Sequence, residues 1–131
     1  MAGKTFINVL ALIPYQMQSR MEALERAVSG KLTIYAHSDE FIHCSRDRSY
    51  SVVLVPDSLP ARKWWSVWAQ LTTLDPRPSI LVYALFSDFP MWSGVLETGG
   101  YDVVTAPFSE AKLREVITSA AEYFEQRWLE D

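Results

Sequence analysis

The chain contains two histidines and one cysteine, and His37, His43 and Cys44 are residue types that could ligate a metal or supply a nucleophile. Their arrangement argues against both. His43 and Cys44 are adjacent, without the repeated spacing of zinc ligands, and His37 falls on a different predicted element. No G-x-S-x-G turn presents a serine, and the turn after the first apolar run is Pro14-Tyr15-Gln16 rather than a glycine-rich phosphate loop. Asp57, in Pro56-Asp57-Ser58-Leu59-Pro60, reads as a turn aspartate bonding its own backbone. The expectation is no metal, no cofactor and no enzymatic activity.

Composition narrows the classes further. A chain of 131 residues, 49% of them hydrophobic, has the size and apolar content of one domain spanning residues 1–131 with a real core. Its net charge of -4, from 12 basic and 16 acidic residues, gives no positive field for a phosphate backbone, so direct nucleic-acid binding is disfavoured. A single cysteine cannot close an intramolecular disulfide, which fits a reducing compartment, with cytoplasm the simplest reading. The apolar run at 6–13 is short, broken by Asn8 and followed by Pro14-Tyr15, so it reads as a buried strand rather than a secretory segment. No run is long enough to cross a bilayer, and no membrane partner is expected.

Periodicity supplies the elements that must position these residues. Residues 5–13 are nearly continuously apolar, as in a central parallel strand covered on both faces. Residues 16–28 place Met17, Met21, Leu24 and Val28 at helical spacing, with Gly30 expected as a left-handed helix stop. Residues 31–37 alternate like an edge strand, and Ser38-Asp39-Glu40 offers an N-cap and first-turn acids to a short helix ending near Arg46-Asp47-Arg48. A third strand over 50–55 ends at Pro56, and Pro60 opens a helix to Leu71 or Thr72 with Trp64, Trp68 and Leu71 on one stripe. A strand over 79–85, a helix over 90–98 stopped by Gly99-Gly100, and a strand over 101–105 follow. Ser109 caps a long last helix that turns Leu113, Val116, Ile117, Ala120 and Phe124 inward. Strands alternating with single helices run parallel with right-handed crossovers. The expected architecture is α/β, a flavodoxin-like (βα)5 three-layer sandwich with a five-stranded parallel sheet in the order 2-1-3-4-5.

Tyr50-Ser51-Val52-Val53-Leu54-Val55-Pro56-Asp57-Ser58-Leu59-Pro60 and residues 92–108 resemble the receiver domains of two-component response regulators, and the resemblance spans essentially the whole chain. Its most specific pieces are Val95-Leu96-Glu97-Thr98-Gly99-Gly100-Tyr101-Asp102-Val103-Val104 and the helix start Pro107-Phe108-Ser109. The resemblance implies a phosphoacceptor aspartate ending the third strand, an acidic pair for Mg²⁺ after the first, a Ser or Thr after the fourth, and a Lys before Pro-Phe. This chain departs at each position. Counting back four residues from Pro60 puts Pro56 at the phosphoacceptor position. Leu12 and Ile13 end the first strand where the acidic pair belongs, Tyr83 stands for the Ser or Thr, and Ala106 stands for the lysine. Mg²⁺ requires oxygen ligands that Asp57 alone supplies poorly, and Ala106 brings no positive charge to a developing phosphoryl transition state. The resemblance thus implies a pseudo-receiver with the fold retained and the chemistry lost.

Receivers commonly meet partners through the fourth helix, fifth strand and fifth helix. Here that side would include Trp92, Tyr101, Thr105 and Arg114, with Trp128 near the end of the last helix. The expected function is a phosphorylation-independent module that binds a protein partner or dimerises. Two alternatives stand beside it: a receiver still phosphorylated on Asp57 by a histidine kinase, and a small-molecule sensor using the strand-end crevice of Pro14, His37, Pro56, Asp57, Ala84 and Ala106.

Overall fold

The computed structural model describes residues 7–130, with side chains placed through 127. Residues 5 and 6 of the expected first strand lie outside the described residues. Five strands, β1 (Ile7–Leu12), β2 (Gly30–Tyr35), β3 (Val52–Pro56), β4 (Ser79–Ala84) and β5 (Asp102–Thr105), form one sheet in the order β2-β1-β3-β4-β5. Every pairing is parallel, with Leu10 opposite Val53 and Pro56 opposite Tyr83. This is the flavodoxin-like order, and it places the C-terminal ends of β1, β3 and β4 side by side.

Helices α1 (Leu24–Ala27), α2 (Ser38–Asp47), α3 (Ala61–Thr72), α4 (Phe89–Glu97) and α5 (Glu110–Glu130) provide the crossovers and the last layer. The sheet separates two apolar clusters. One gathers Val9, Ala11, Leu54, Leu81 and Tyr83 against α1 and α5 through Leu24, Leu113 and Ile117. The other gathers Leu10, Val53, Val55 and Val82 against α2, α3 and α4 through Phe41, Trp68, Leu71 and Val95. All five β3 residues are buried, which is why residues 50–56 read as a continuous apolar run rather than an alternation. Each fully buried aliphatic side chain contributes about 1.5–3 kcal/mol of transfer free energy.

The first crossover differs from the expected single helix over 16–28. A 3-10 turn occupies Tyr15–Met17, and only Leu24–Ala27 is α-helical. Pro14 gives the segment no side-chain cap, and its first amides close short i to i+3 bonds, Met17 to Pro14 at 2.8 Å and Gln18 to Tyr15 at 3.3 Å. Met17, Met21 and Leu24 are still buried, so the apolar spacing marked the covered face correctly while the backbone is wound more tightly. Gly30 is likewise not a helix stop: the helix ends at Val28 and Gly30 opens β2 opposite Ile7. Its φ of +154° and the Ile7 carbonyl oxygen, which any Cβ at this position would strike, give the reason for glycine. At α2 the N-cap is His37, without a side-chain bond, and Ser38 is instead a buried first residue. Ser109 does cap α5, its Oγ accepting from the Lys112 amide at 3.2 Å.

Two glycine substitutions separate these backbone demands. Gly30→Ala should destabilise the fold by about 1–3 kcal/mol through backbone strain and the Ile7 clash. Gly94→Ala, in α4 with nothing within 4 Å of where the added methyl group would sit, should stabilise it by about 0.5–1 kcal/mol. Urea unfolding of both variants measures the contrast.

Candidate functional site

The crevice at the C-terminal ends of the strands is built from the last residues of β1, β3, β4 and β5. Leu12 and Ile13 are buried there, and the Ile13 amide donates to the Tyr35 carbonyl at 2.8 Å, tying the end of β1 to β2. Pro56 ends β3, also buried, with no amide proton to offer a ligand. Ala106, half-buried, donates its amide to the Ala84 carbonyl at 3.0 Å and presents only a methyl group.

Tyr83 dominates this crevice. Its side chain is fully buried, and its hydroxyl donates to the Leu12 carbonyl oxygen at 2.6 Å. Since β3 lies between β4 and β1, the phenol reaches across one whole strand, on the face covered by α1 and α5. Its ring meets Phe108 edge-on at 5.8 Å, so the Pro107-Phe108 segment packs onto the same side chain. Burial, reinforced by the nearby Asp57 carboxylate, raises the Tyr83 phenol above its ordinary pKa. The hydroxyl therefore stays protonated and committed to Leu12.

Asp57 is the carboxylate at the end of β3. Its backbone amide donates to the Tyr83 carbonyl at 3.1 Å, which fixes the turn, and the side chain is on the exposed rim. Partial burial raises its carboxyl pKa, offset in part by a bond from its own backbone amide. An ammonium not anticipated from the sequence lies at the end of β5: Lys112, in the first turn of α5, donates its Nζ to the Thr105 carbonyl at 2.9 Å. Its spacing from Pro107 gives no hint of this, because the contact depends on how α5 folds back over β5.

The residues weighed as metal ligands do not converge. His37 stands edge-on to Tyr15 at 5.6 Å, His43 faces Asp47 at 3.9 Å, and Cys44 Sγ lies 2.9 Å from the Tyr50 hydroxyl. Among the described residues no group of three or more His, Cys, Asp or Glu side chains is placed to hold a metal ion. Among the same residues no helix is long and apolar enough to cross a membrane.

Around the edge strand β5, Trp92 on α4 donates its indole N–H to Asp102 Oδ1 at 3.1 Å. Tyr101 shares a 2.7 Å hydrogen bond with Ser119 on α5 and packs its ring 5.1 Å from Tyr123. Thr105 is half-buried with its carbonyl held by Lys112. Arg114 departs from this group: its guanidinium turns to α1, donating to the Arg26 carbonyl at 2.7 Å and Glu110 at 2.8 Å. The cause is Glu110, one helical turn earlier, which also pairs with Arg26 at 3.0 Å. The side chain of Trp128 lies outside the described residues.

Three large exposed side chains shortly before Trp92 in the chain were not anticipated from the sequence. Leu85 is 45% exposed, Phe86 82% and Phe89 73%, and Phe89 lies 6.0 Å from Trp92. The available signal was their position, between a strand expected to end at Leu85 and a helix expected to begin at Pro90, where no buried face exists to receive them. Asp88 caps this helix by accepting from the Met91 amide at 2.9 Å, starting it early enough to include Phe89.

No protein-family profile and no curated protein sequence matches the chain. Among solved structures, it is similar to a response regulator receiver domain protein from Methanospirillum hungatei JF-1, with a TM-score of 0.76 and 15% identity over 93% of this chain and 98% of that one. It is similar to the signal receiver domain of an HD domain-containing protein from Pseudomonas fluorescens Pf-5, with a TM-score of 0.75 and 14% identity over 92% and 98% of the two chains. A response regulator receiver domain protein from Clostridium thermocellum gives a TM-score of 0.75 and 14% identity over 92% and 98%. The chain therefore has the receiver-domain fold, and at these identities the similarity is one of fold.

Tyr83→Phe should cost about 1–3 kcal/mol, because the Leu12 carbonyl loses its buried donor. A phenol whose folded-state pKa is raised stabilises the fold fully below the unfolded value near pH 10 and loses that contribution as pH climbs towards the folded value, by about 1.4 kcal/mol per unit. Denaturant unfolding between neutral and strongly alkaline pH should show the wild-type slope exceeding that of Tyr83→Phe by one proton. The residual slope belongs in part to Tyr50, raised by burial and then by its bond to Cys44.

Proposed function

We propose that this chain is a non-catalytic signalling domain that binds a protein partner, or a second copy of itself, through the α4–β5–α5 side without phosphorylation. The observation that carries this reading is the exposed run of Leu85, Phe86, Phe89 and Trp92 beside a crevice filled by Tyr83. Contiguous exposed apolar side chains mark interaction surfaces, and aromatic residues supply much of the binding energy in them. In a receiver fold this run lies where strand-end chemistry would be read out by α4. The Trp92–Asp102 hydrogen bond joins that helix to β5 and gives the surface a fixed geometry.

Phosphoryl transfer finds little support around Asp57. Pro56 precedes it, the nearby Tyr83 phenol is already bonded to Leu12, and the Lys112 ammonium is held by the Thr105 carbonyl. Mg²⁺ needs several oxygen ligands and a phosphoryl group needs facing positive charge. The net charge of -4 gives a nucleic-acid backbone no field to follow.

Incubation of the full chain with acetyl phosphate, or with beryllofluoride and Mg²⁺, should change neither its mass nor its tryptophan fluorescence. An adduct that disappears in Asp57→Asn would overturn the phosphorylation-independent reading. Phe86→Ser combined with Phe89→Ser should weaken self-association or partner capture by roughly a hundredfold, the effect of losing two moderate hot-spot side chains. Sedimentation of the chain alone and with its captured partner measures that, and unchanged association would move the docking surface elsewhere.

A further inference from the structure

We infer that a second site, at the opposite end of the sheet from the crevice, binds a small phosphomonoester. A cavity of about 400 Å³ opens there between the start of β4, the end of α4 and the last described turn of α5. Its walls include Arg77, Gly99, Gly100, Tyr101, Tyr123 and Arg127, and among the described residues no acidic side chain lines it. This sets it apart from two other cavities. The one beside β5 includes Asp102 and Glu115, and the one below α2 includes Asp47 and Asp75. In a chain of net charge -4, a cavity lined by two arginines and, among the described residues, by no carboxylate is a local reversal of sign.

Among the described residues neither Arg77 nor Arg127 forms a salt bridge, and each packs beside a neighbouring residue instead. Arg77 packs over Gly99, where a Cβ would lie 2.7 Å from its Nη1, so the absence of a side chain makes room for the guanidinium. Arg127 lies over the Tyr123 ring, 5.5 Å from its centre, and Tyr123 is backed by Tyr101, whose hydroxyl is fixed to Ser119. Two arginines lining one cavity supply the charge and planar donor groups that a phosphate dianion requires. The volume exceeds that of free phosphate, and the Tyr123 side wall favours an ester carrying an apolar or aromatic group. The site shares Tyr101 with the α4–β5–α5 side but requires neither Phe86 nor Trp92, so different variants test the two readings.

The test is calorimetric titration of the full chain with inorganic phosphate, phenyl phosphate and benzoate at constant ionic strength. Saturable binding of phenyl phosphate, tighter than inorganic phosphate and much tighter than benzoate, supports the site. Arg77→Gln and Arg127→Gln should each weaken phenyl phosphate roughly tenfold, the loss of one charge-assisted contact. Arg77→Lys, which keeps the charge and loses the fork, should fall between wild type and Arg77→Gln. Thermal melts confirm that each variant is folded, and Arg127→Gln, at the end of a helix, carries the test if Arg77→Gln does not fold. No saturable heat at millimolar phenyl phosphate, equal affinity for benzoate, or binding unchanged in folded variants overturns the inference.

Discussion

A single hydrogen bond organises the strand-end crevice: the Tyr83 hydroxyl donating to the Leu12 carbonyl across the intervening strand β3. A parallel sheet leaves its last carbonyls pointing beyond the strand ends, where a receptor site would normally bring water, a cation or a ligand to satisfy them. Here a side chain from within the sheet does so. To reach Leu12 the phenol must lie flat over the end of β3, which suits a buried proline at Pro56 and an apolar pair at Leu12 and Ile13. Ile13 shares the apolar cluster of Tyr83 while the Leu12 side chain lies in the cluster on the other face, so a carboxylate at either position would be buried among apolar side chains.

That constraint extends outwards through two contacts. Phe108 packs edge-on against Tyr83, which seats the start of α5, and the Asp57 amide donates to the Tyr83 carbonyl, which shapes the turn after β3. These internal bonds tie the ends of β1, β3 and β4 and the start of α5 to one side chain. The exposed aromatic run from Leu85 to Trp92 is on the element that follows β4 directly, so the filled crevice and the exposed surface share a backbone.

The fold was largely legible in the sequence because a parallel sheet with alternating crossovers has strong local signatures. The fully apolar run ending at Pro56, the stripe of Trp68 and Leu71, and the Ser109 cap each correspond to one element whose burial follows from its own pattern. What was not legible depended on contacts between distant segments. Gly30 is required by the carbonyl of Ile7, its partner on the neighbouring strand, and the tight winding after Pro14 follows from short-range bonds that apolar spacing does not distinguish from an α-helix. The resemblance to receivers placed Leu12, Pro56, Tyr83 and Ala106 at or near strand ends, whereas the Tyr83–Leu12 bond needed the third dimension. Arg114 faces α1 because Glu110 and Arg26 hold it there, information carried by a residue 88 positions away.

Everything at the strand ends depends on Tyr83 filling the crevice with its hydroxyl out of contact with water. Solution NMR of the chain at neutral pH, observing the hydroxyl proton of Tyr83, addresses this most directly. The prediction is a resolved, slowly exchanging hydroxyl resonance close in space to Leu12, with slow ring rotation. A hydroxyl proton exchanging too fast to observe, together with a freely flipping ring, would mean an open, hydrated crevice and would contradict a crevice sealed by Tyr83.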